Sequence, residues 1–193
     1  TLLGLLKHPL VRLGLAPDDL AARRDLLEVA ALRGARRRSW AALEAAVRKA
    51  KVAADVDAAL DLLARLRTAL EPLAVVNAAD EAPPADAARA VTTVMETLAA
   101  DPSGDLGELW AGHAGECMAR LLAALIGEGV DLPAATPRGF VNLLRRLVEG
   151  ETVRAGGATH PRLRILGAIE ARLVRADRLV LAGLEEGVWP QGA

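Results

Sequence analysis

Along residues 1–150, leucine and alanine return at intervals of three and four between prolines, glycines and polar clusters, a rhythm that predicts a succession of amphipathic helices. Leu2, Leu3, Leu5 and Leu6 suggest a short opening helix stopped by His8-Pro9, because proline disfavours a helical residue before it. Pro17-Asp18-Asp19 opens a second helix with acids at its positive end. Leu20, Leu26, Leu27 and Ala30 or Ala31 supply its buried stripe, and Gly34 its stop. Ser39 is the expected N-cap of a third helix. The helical pattern then runs from 39 to 73 with a break near 53–57. Leu60, Leu63, Leu66 or Arg67, and Leu70 recur before Pro72, which suggests a helical hairpin.

Residues 77–85, NAADEAPPA, lack periodicity and read as an internal linker and flexible surface loop, with a helix resuming at about Asp86. Val91, Val94 or Met95, and Leu98 form that helix's inner face, and DPSGD at 101–105 ends it. A long helix is expected from about Leu106, carrying Leu109, Trp110, Met118, Leu121, Leu122 and Leu125 and closing at Gly127 and Gly129. Thr136-Pro137 combines an N-cap with proline at the first helical position. Phe140, Leu143, Leu144 and Leu147 should face inward before Gly150.

After Gly150 the pattern changes. Gly156 and Gly157 introduce a loop, 162–166 fits a short strand, 168–175 a short helix, and 178–182 a buried strand between Asp177 and Gly183. The expected fold is therefore mainly α, with a helical region at 1–150 and a short α/β segment at 151–193.

Composition supports the helical reading. Of 193 residues, 52% are hydrophobic but only 2% aromatic, so packing has to come from aliphatic helix faces. No apolar run reaches the roughly 18 residues a membrane span needs. Cys117 is the single cysteine, which excludes an internal disulfide and a four-thiolate iron–sulfur cluster and fits a reducing cytoplasm. A chain that starts at Thr1 and stops just after a strand and turn reads as an interior piece of something longer.

The net charge of −1 hides a division. Residues 33–51 hold seven bases against Glu44, whereas 52–116 hold twelve acids against three bases. Arg33, Arg36, Arg37 and Arg38 are the candidate phosphate contacts, clustered at a helix break where several guanidiniums can reach consecutive phosphates. Against that, charge runs are usually solvated faces, and nucleic-acid sites usually add aromatic stacking platforms, which this chain mostly lacks. His113, Glu116 and Cys117 share part of a helix face, but two good ligands are too few for a metal, and a buried cysteine beside a partly exposed histidine is the expectation. His8 and His160, each before proline, are read as braces for turns. The adjacent Glu185 and Glu186 point apart on a tight turn and make no nuclease site.

Two stretches carry a family resemblance. Residues 160–190, HPRLRILGAIEARLVRADRLVLAGLEEGVWP, are similar to the AddB pattern. There a His-Pro-Arg-Leu start (His160, Pro161), a Gly-x-x-Glu-Ala-Arg turn (Gly167, Glu170) and an Ala-Asp strand lead into Gly-Leu-x-Glu-Gly-x-Trp-Pro (Gly183, Glu186, Gly187, Trp189, Pro190). The opening LLGLLKHPL resembles the Lys-His-Pro-Leu stretch before the helical insertion of that family. In active UvrD-type helicases the matching element is Thr-x-His-x-x-Lys-Gly-Leu-Glu. Here Arg164, Ile165 and Leu166 precede Gly167, so the threonine, histidine and lysine that would sense nucleotide are missing.

The resemblance implies a helical lobe like the 2B subdomain of UvrD-type helicases at 1–150 and the start of a helicase-like core at 151–193. It implies a noncatalytic role in a double-strand break resection complex, with AddA as motor partner, DNA held weakly or not at all by this chain alone, and no membrane. The family's iron–sulfur cluster and magnesium belong to a nuclease domain beyond Ala193, so no cofactor or catalytic residue is expected here. No G-x-x-x-x-G-K-[ST] loop is present to cradle a nucleotide. The C-terminal motif residues are expected to shape a strand end, with Trp189 covering it, more than to touch DNA. The competing readings are a stand-alone helical interaction domain and a helicase core fragment that keeps its nucleotide contacts.

Overall fold

The computed structural model describes residues 1–34, 37–50 and 55–152, together with 174, 175, 177, 178, 180 and 182. The chain divides into two compact units, Thr1–Arg154 and Ala155–Ala193, and all the described helices belong to the first. Among the described residues there are seven α-helices and no strand, so the chain is mainly helical as its periodicity predicts. None of these helices is long and apolar enough to cross a membrane.

The helix α1, Leu2–Leu6, is capped by the Thr1 hydroxyl, which accepts from the Gly4 amide at 3.2 Å. His8 Nδ1 accepts from the Leu10 amide at 3.3 Å and braces the turn at Pro9. Residues 11–15 then form a turn, with Leu13 and Gly14 at positive φ (55° and 70°) and with Val11, Leu13 and Leu15 buried. The amides of Arg12 and Leu13 both donate to the Leu98 carbonyl, at 2.7 and 3.0 Å, and the Gly14 amide donates to Ala100 O at 2.7 Å. This turn segment thereby satisfies carbonyls that a helix end would otherwise leave open.

Helix α2, Pro17–Leu27, starts on proline with Asp18 and Asp19 in its first turn. It passes into a π-helical turn, Glu28–Leu32, closed by the Arg33 amide on Glu28 O at 3.0 Å, before Gly34 turns with φ +85°. Ser39 caps α3, Trp40–Lys49, accepting from the Ala42 amide at 3.2 Å. Asp55 caps α4, Val56–Asn77, whose buried Ala59, Leu62, Leu63, Leu66 and Ala69 keep turn spacing. The helix runs over Pro72 and on past the expected end at Leu73 to Asn77. Proline costs the ladder one donor but lies past the buried stripe.

The linker expected at 77–85 is shorter and more ordered than its composition suggests. Ala82 and Ala135 form an isolated antiparallel bridge, with N···O distances of 3.0 and 2.9 Å, and Pro84 is fully buried at the start of α5, Pro84–Ala99. Helix α5 buries Val94 and Leu98 as expected, and also a row of alanines, Ala85, Ala87, Ala88 and Ala90, that lets a neighbour approach closely.

Helix α6, Gly112–Glu128, begins six residues later than the leucine pattern predicts. Gly107 and Gly112 sit at positive φ, 54° and 66°, so 106–111 forms turns instead. Helix α7, Pro137–Gly150, has the expected cap, with Thr136 accepting from the Gly139 amide at 3.1 Å.

Two apolar clusters hold these helices. The first gathers α1, the 11–15 segment, α2, α3, α4 and the Val94–Leu98 end of α5. The second joins Ala87 and Ala88 of α5 to Leu122 and Leu125 of α6 and Phe140 of α7. The inward face assigned to α7 is only partly buried. Phe140 is buried and Leu143 and Leu144 are intermediate, but Leu147, Val148 and Val141 are exposed at 36, 40 and 52%.

The strand at 162–166, the helix at 168–175 and most of the strand at 178–182 fall outside the described residues. Arg178, Val180 and Ala182 are described, and they are exposed and lie in no strand.

Candidate nucleic-acid interface

The arginine cluster lies on the loop between the π-helical turn and α3, and the structure gives its members different tasks. Arg33 is 68% exposed yet tied down: its Nε and a terminal nitrogen both lie 3.1 Å from Glu28 Oε1. Lys7 Nζ approaches the other oxygen of Glu28 at 3.0 Å. Hydrogen bonds from Lys7 and then Arg33 hold the Glu28 carboxyl below the usual range. Arg37 is half-buried and donates to the Ala31 carbonyl, stitching the loop to the π-helical turn. Arg38 is exposed and makes no ion pair among the described residues. Arg36 lies outside the described residues.

Beside this loop is a cavity of about 450 Å³ lined by Leu2, Arg37, Arg38, Ser39, Trp40 and Leu43. A second, of about 470 Å³, shares Leu2, Arg37 and Leu43 and adds Thr1, Leu3, Ala31, Leu32 and Gly34. Among the described residues no carboxylate lines either cavity, and Glu44, next to Leu43 on α3, is paired with Arg48 and Arg67 at 3.5 and 3.9 Å. Trp40 is the residue that sequence reasoning missed. The patch has an aromatic after all, at the first position of α3, half-buried against the first cluster and lining the cavity with Arg37 and Arg38. Its signal was adjacency to a capping serine that follows three arginines, which places it where loop and helix meet.

The other candidates separate from this groove. His113 is exposed, whereas Cys117 is buried and donates to Glu151 Oε2 at 3.2 Å. Among the described residues no group of three or more histidine, cysteine, aspartate or glutamate side chains is placed to hold a metal ion. His160, Pro161, Gly167, Glu170, Gly183, Glu186, Gly187, Trp189 and Pro190 lie outside the described residues, as do Glu185 and the residues 164–166 that replace the nucleotide-sensing element.

The fold and groove define a helical protein with a cleft beside its first cluster, lined by Arg37, Arg38 and Trp40. No known protein family, no curated protein and no solved structure matches the chain.

Proposed function

We propose that this chain is a noncatalytic, helicase-like region of an AddB-type subunit, in which a lobe resembling the 2B subdomain of UvrD-type helicases leads into the start of a motor-like core. Its role is to line a path for DNA and to meet the motor subunit AddA while a broken end is resected. The two end motifs support the family part of this reading, and the helical organisation of Thr1–Arg154 is compatible with such a lobe. The observation that carries the DNA part is the groove itself, which Arg37, Arg38 and Trp40 line together and which no carboxylate among the described residues enters. Guanidiniums so placed release counterions from phosphates, which gives sequence-blind, salt-dependent affinity. With no phosphate-cradling loop in the sequence, nucleotide hydrolysis falls to AddA. The cluster and magnesium of the parent subunit belong to its nuclease domain, outside these residues.

The test is a titration of the purified chain with single-stranded and duplex DNA from low to physiological salt, with Arg33, Arg36, Arg37 and Arg38 replaced by glutamine in parallel. Weak binding that falls with salt and with the replacements is expected, together with no heat of ATP binding in calorimetry. Measurable ATP binding would return the chain to the active helicases.

One observation favours a second reading. Val141, Leu147 and Val148 leave an apolar strip on α7 open, as on helices that dock a protein partner. On this alternative the chain is a stand-alone helical interaction domain with no DNA role, and it binds no DNA even at low salt.

A further inference from the structure

We infer that the cavity at the start of α3 is a site for one unstacked nucleotide of a single strand, with Trp40 as the base-stacking platform and Arg38 as the phosphate contact. The inference rests on the reading of this region as facing nucleic acid, and it narrows that reading to single strands and to two named side chains.

The cavity holds about 450 Å³, inside the range of about 300–1,000 Å³ typical of small-ligand pockets. The lining divides by chemistry in the way a nucleotide does. Leu2, Leu43 and the Trp40 ring supply apolar surface, and Arg37, Arg38 and Ser39 supply donors. Trp40 is anchored because its ring packs against Leu-rich core residues, so little rotamer freedom is lost when a base settles on it. Every base offers a π-face, which makes stacking indifferent to sequence.

Arg33 is occupied by Glu28 and Arg37 by the Ala31 carbonyl, so those two shape the rim, while Arg38 is exposed and in no ion pair among the described residues. The second cavity shares Leu2, Arg37 and Leu43 with the first, so a strand seated in one has the other beside it. A duplex keeps its bases stacked inside and can offer this groove only its backbone. The site therefore distinguishes single strands from duplexes.

The experiment measures binding of an oligothymidylate and of a duplex of equal length to the full chain at low salt. Trp40→Leu preserves apolar packing and Trp40→Phe preserves a ring. By the usual worth of base stacking, Trp40→Leu is expected to weaken oligothymidylate binding roughly 5- to 150-fold while leaving the duplex unchanged, and Trp40→Phe to fall between. Arg38→Gln should weaken both and lower the salt slope for the single strand by about 0.7. Because Trp40 touches the core, the unaltered chain is also photocrosslinked to an oligonucleotide carrying iodouracil, and the linked peptide is expected to contain Trp40. A folded Trp40→Leu chain that binds oligothymidylate as tightly as the parent, or a crosslink mapped elsewhere, overturns the stacking site while leaving the broader DNA reading in place. Absence of any DNA binding by the parent chain sinks both.

Discussion

The guanidinium of Arg65 on α4 donates to the carbonyl oxygen of Leu13 at 3.1 Å, across 52 residues of chain. Leu13 has φ +55°, a left-handed backbone that leucine adopts rarely, and it is 4% exposed. The carbonyl is partly buried, so Arg65 supplies a donor that water reaches poorly. Asp61 aims the guanidinium by accepting from Arg65 Nε at 2.8 Å, and it also accepts from Arg23 of α2 at 2.6 Å. One carboxylate thus couples α2 and α4 to the turn at Leu13.

Replacing Arg65 with methionine keeps the aliphatic stem and removes the donors. A loss of about 1 kcal/mol is expected for one partly buried hydrogen bond. It should be read as a lower urea midpoint at unchanged slope. The comparison is Arg67→Met, whose exposed guanidinium lies 3.9 Å from Glu44 and should change stability by less than about 0.5 kcal/mol.

Two glycines of α6 should respond with opposite signs. A Cβ on Gly115 would stand 2.5 Å from the Trp110 carbonyl carbon, a backbone atom held by the turns before the helix. Gly115→Ala is therefore expected to cost about 1–3 kcal/mol as overpacking. Gly127 has nothing within 4 Å of such a Cβ, and Gly127→Ala should stabilise by about 0.5–1 kcal/mol through helix propensity and a restricted unfolded chain. Thermal unfolding of both variants checks the pair, and equal shifts would contradict the packing at Trp110.

The acid response of Glu28 follows from its partners. Lys7 and Arg33 hold its folded-state pKa below the ordinary glutamate value. The folded chain then binds this proton less readily than the unfolded one, so the interaction stabilises above the ordinary glutamate range and is lost as pH falls through the lower folded value. Glu28→Gln should be less stable than the parent near neutrality, with the gap closing in acid. A gap that stays constant from pH 7 to pH 3 would show that the Lys7 and Arg33 contacts do not depend on the charge.

Much of the helical order was legible because its signals are local. Ser39 and Thr136 cap where their position before an apolar run says they should, and Gly34 turns where it ends a stripe. What escaped was decided by tertiary contact. The buried alternation of Val11, Leu13 and Leu15 depends on the carbonyls of Leu98 and Ala100, far along the chain. The pairing of Ala82 with Ala135 converts a proline-rich linker into an ordered turn. The arginine cluster was visible as composition, but its division into tethered Arg33 and Arg37 and outward Arg38 required the position of Glu28 and the π-helical turn. Trp40 escaped because aromatics are counted along the chain, whereas a groove needs only one in the right place.

The thiol of Cys117 fastens the end of α7 to α6. Cys117 is 8% exposed on α6 and donates to Glu151, the residue that follows α7, at 3.2 Å. That hydrogen bond to a carboxylate favours the protonated thiol. Burial and the Glu151 charge add to it, against an opposing pull from Arg120, and the thiol pKa is raised. Less thiolate is then present at a given pH than for an ordinary cysteine, and alkylation by iodoacetamide at pH 8 should be slow. Because the raised pKa belongs to the folded state, the contribution to stability is present below the ordinary thiol range and fades as pH rises through the folded value. Glu151→Gln keeps a hydrogen-bond acceptor and removes the charge, so its Cys117 should alkylate faster than the parent's at the same pH. A rate in the parent equal to that of the urea-unfolded chain would mean that the end of α7 does not rest on α6 in solution.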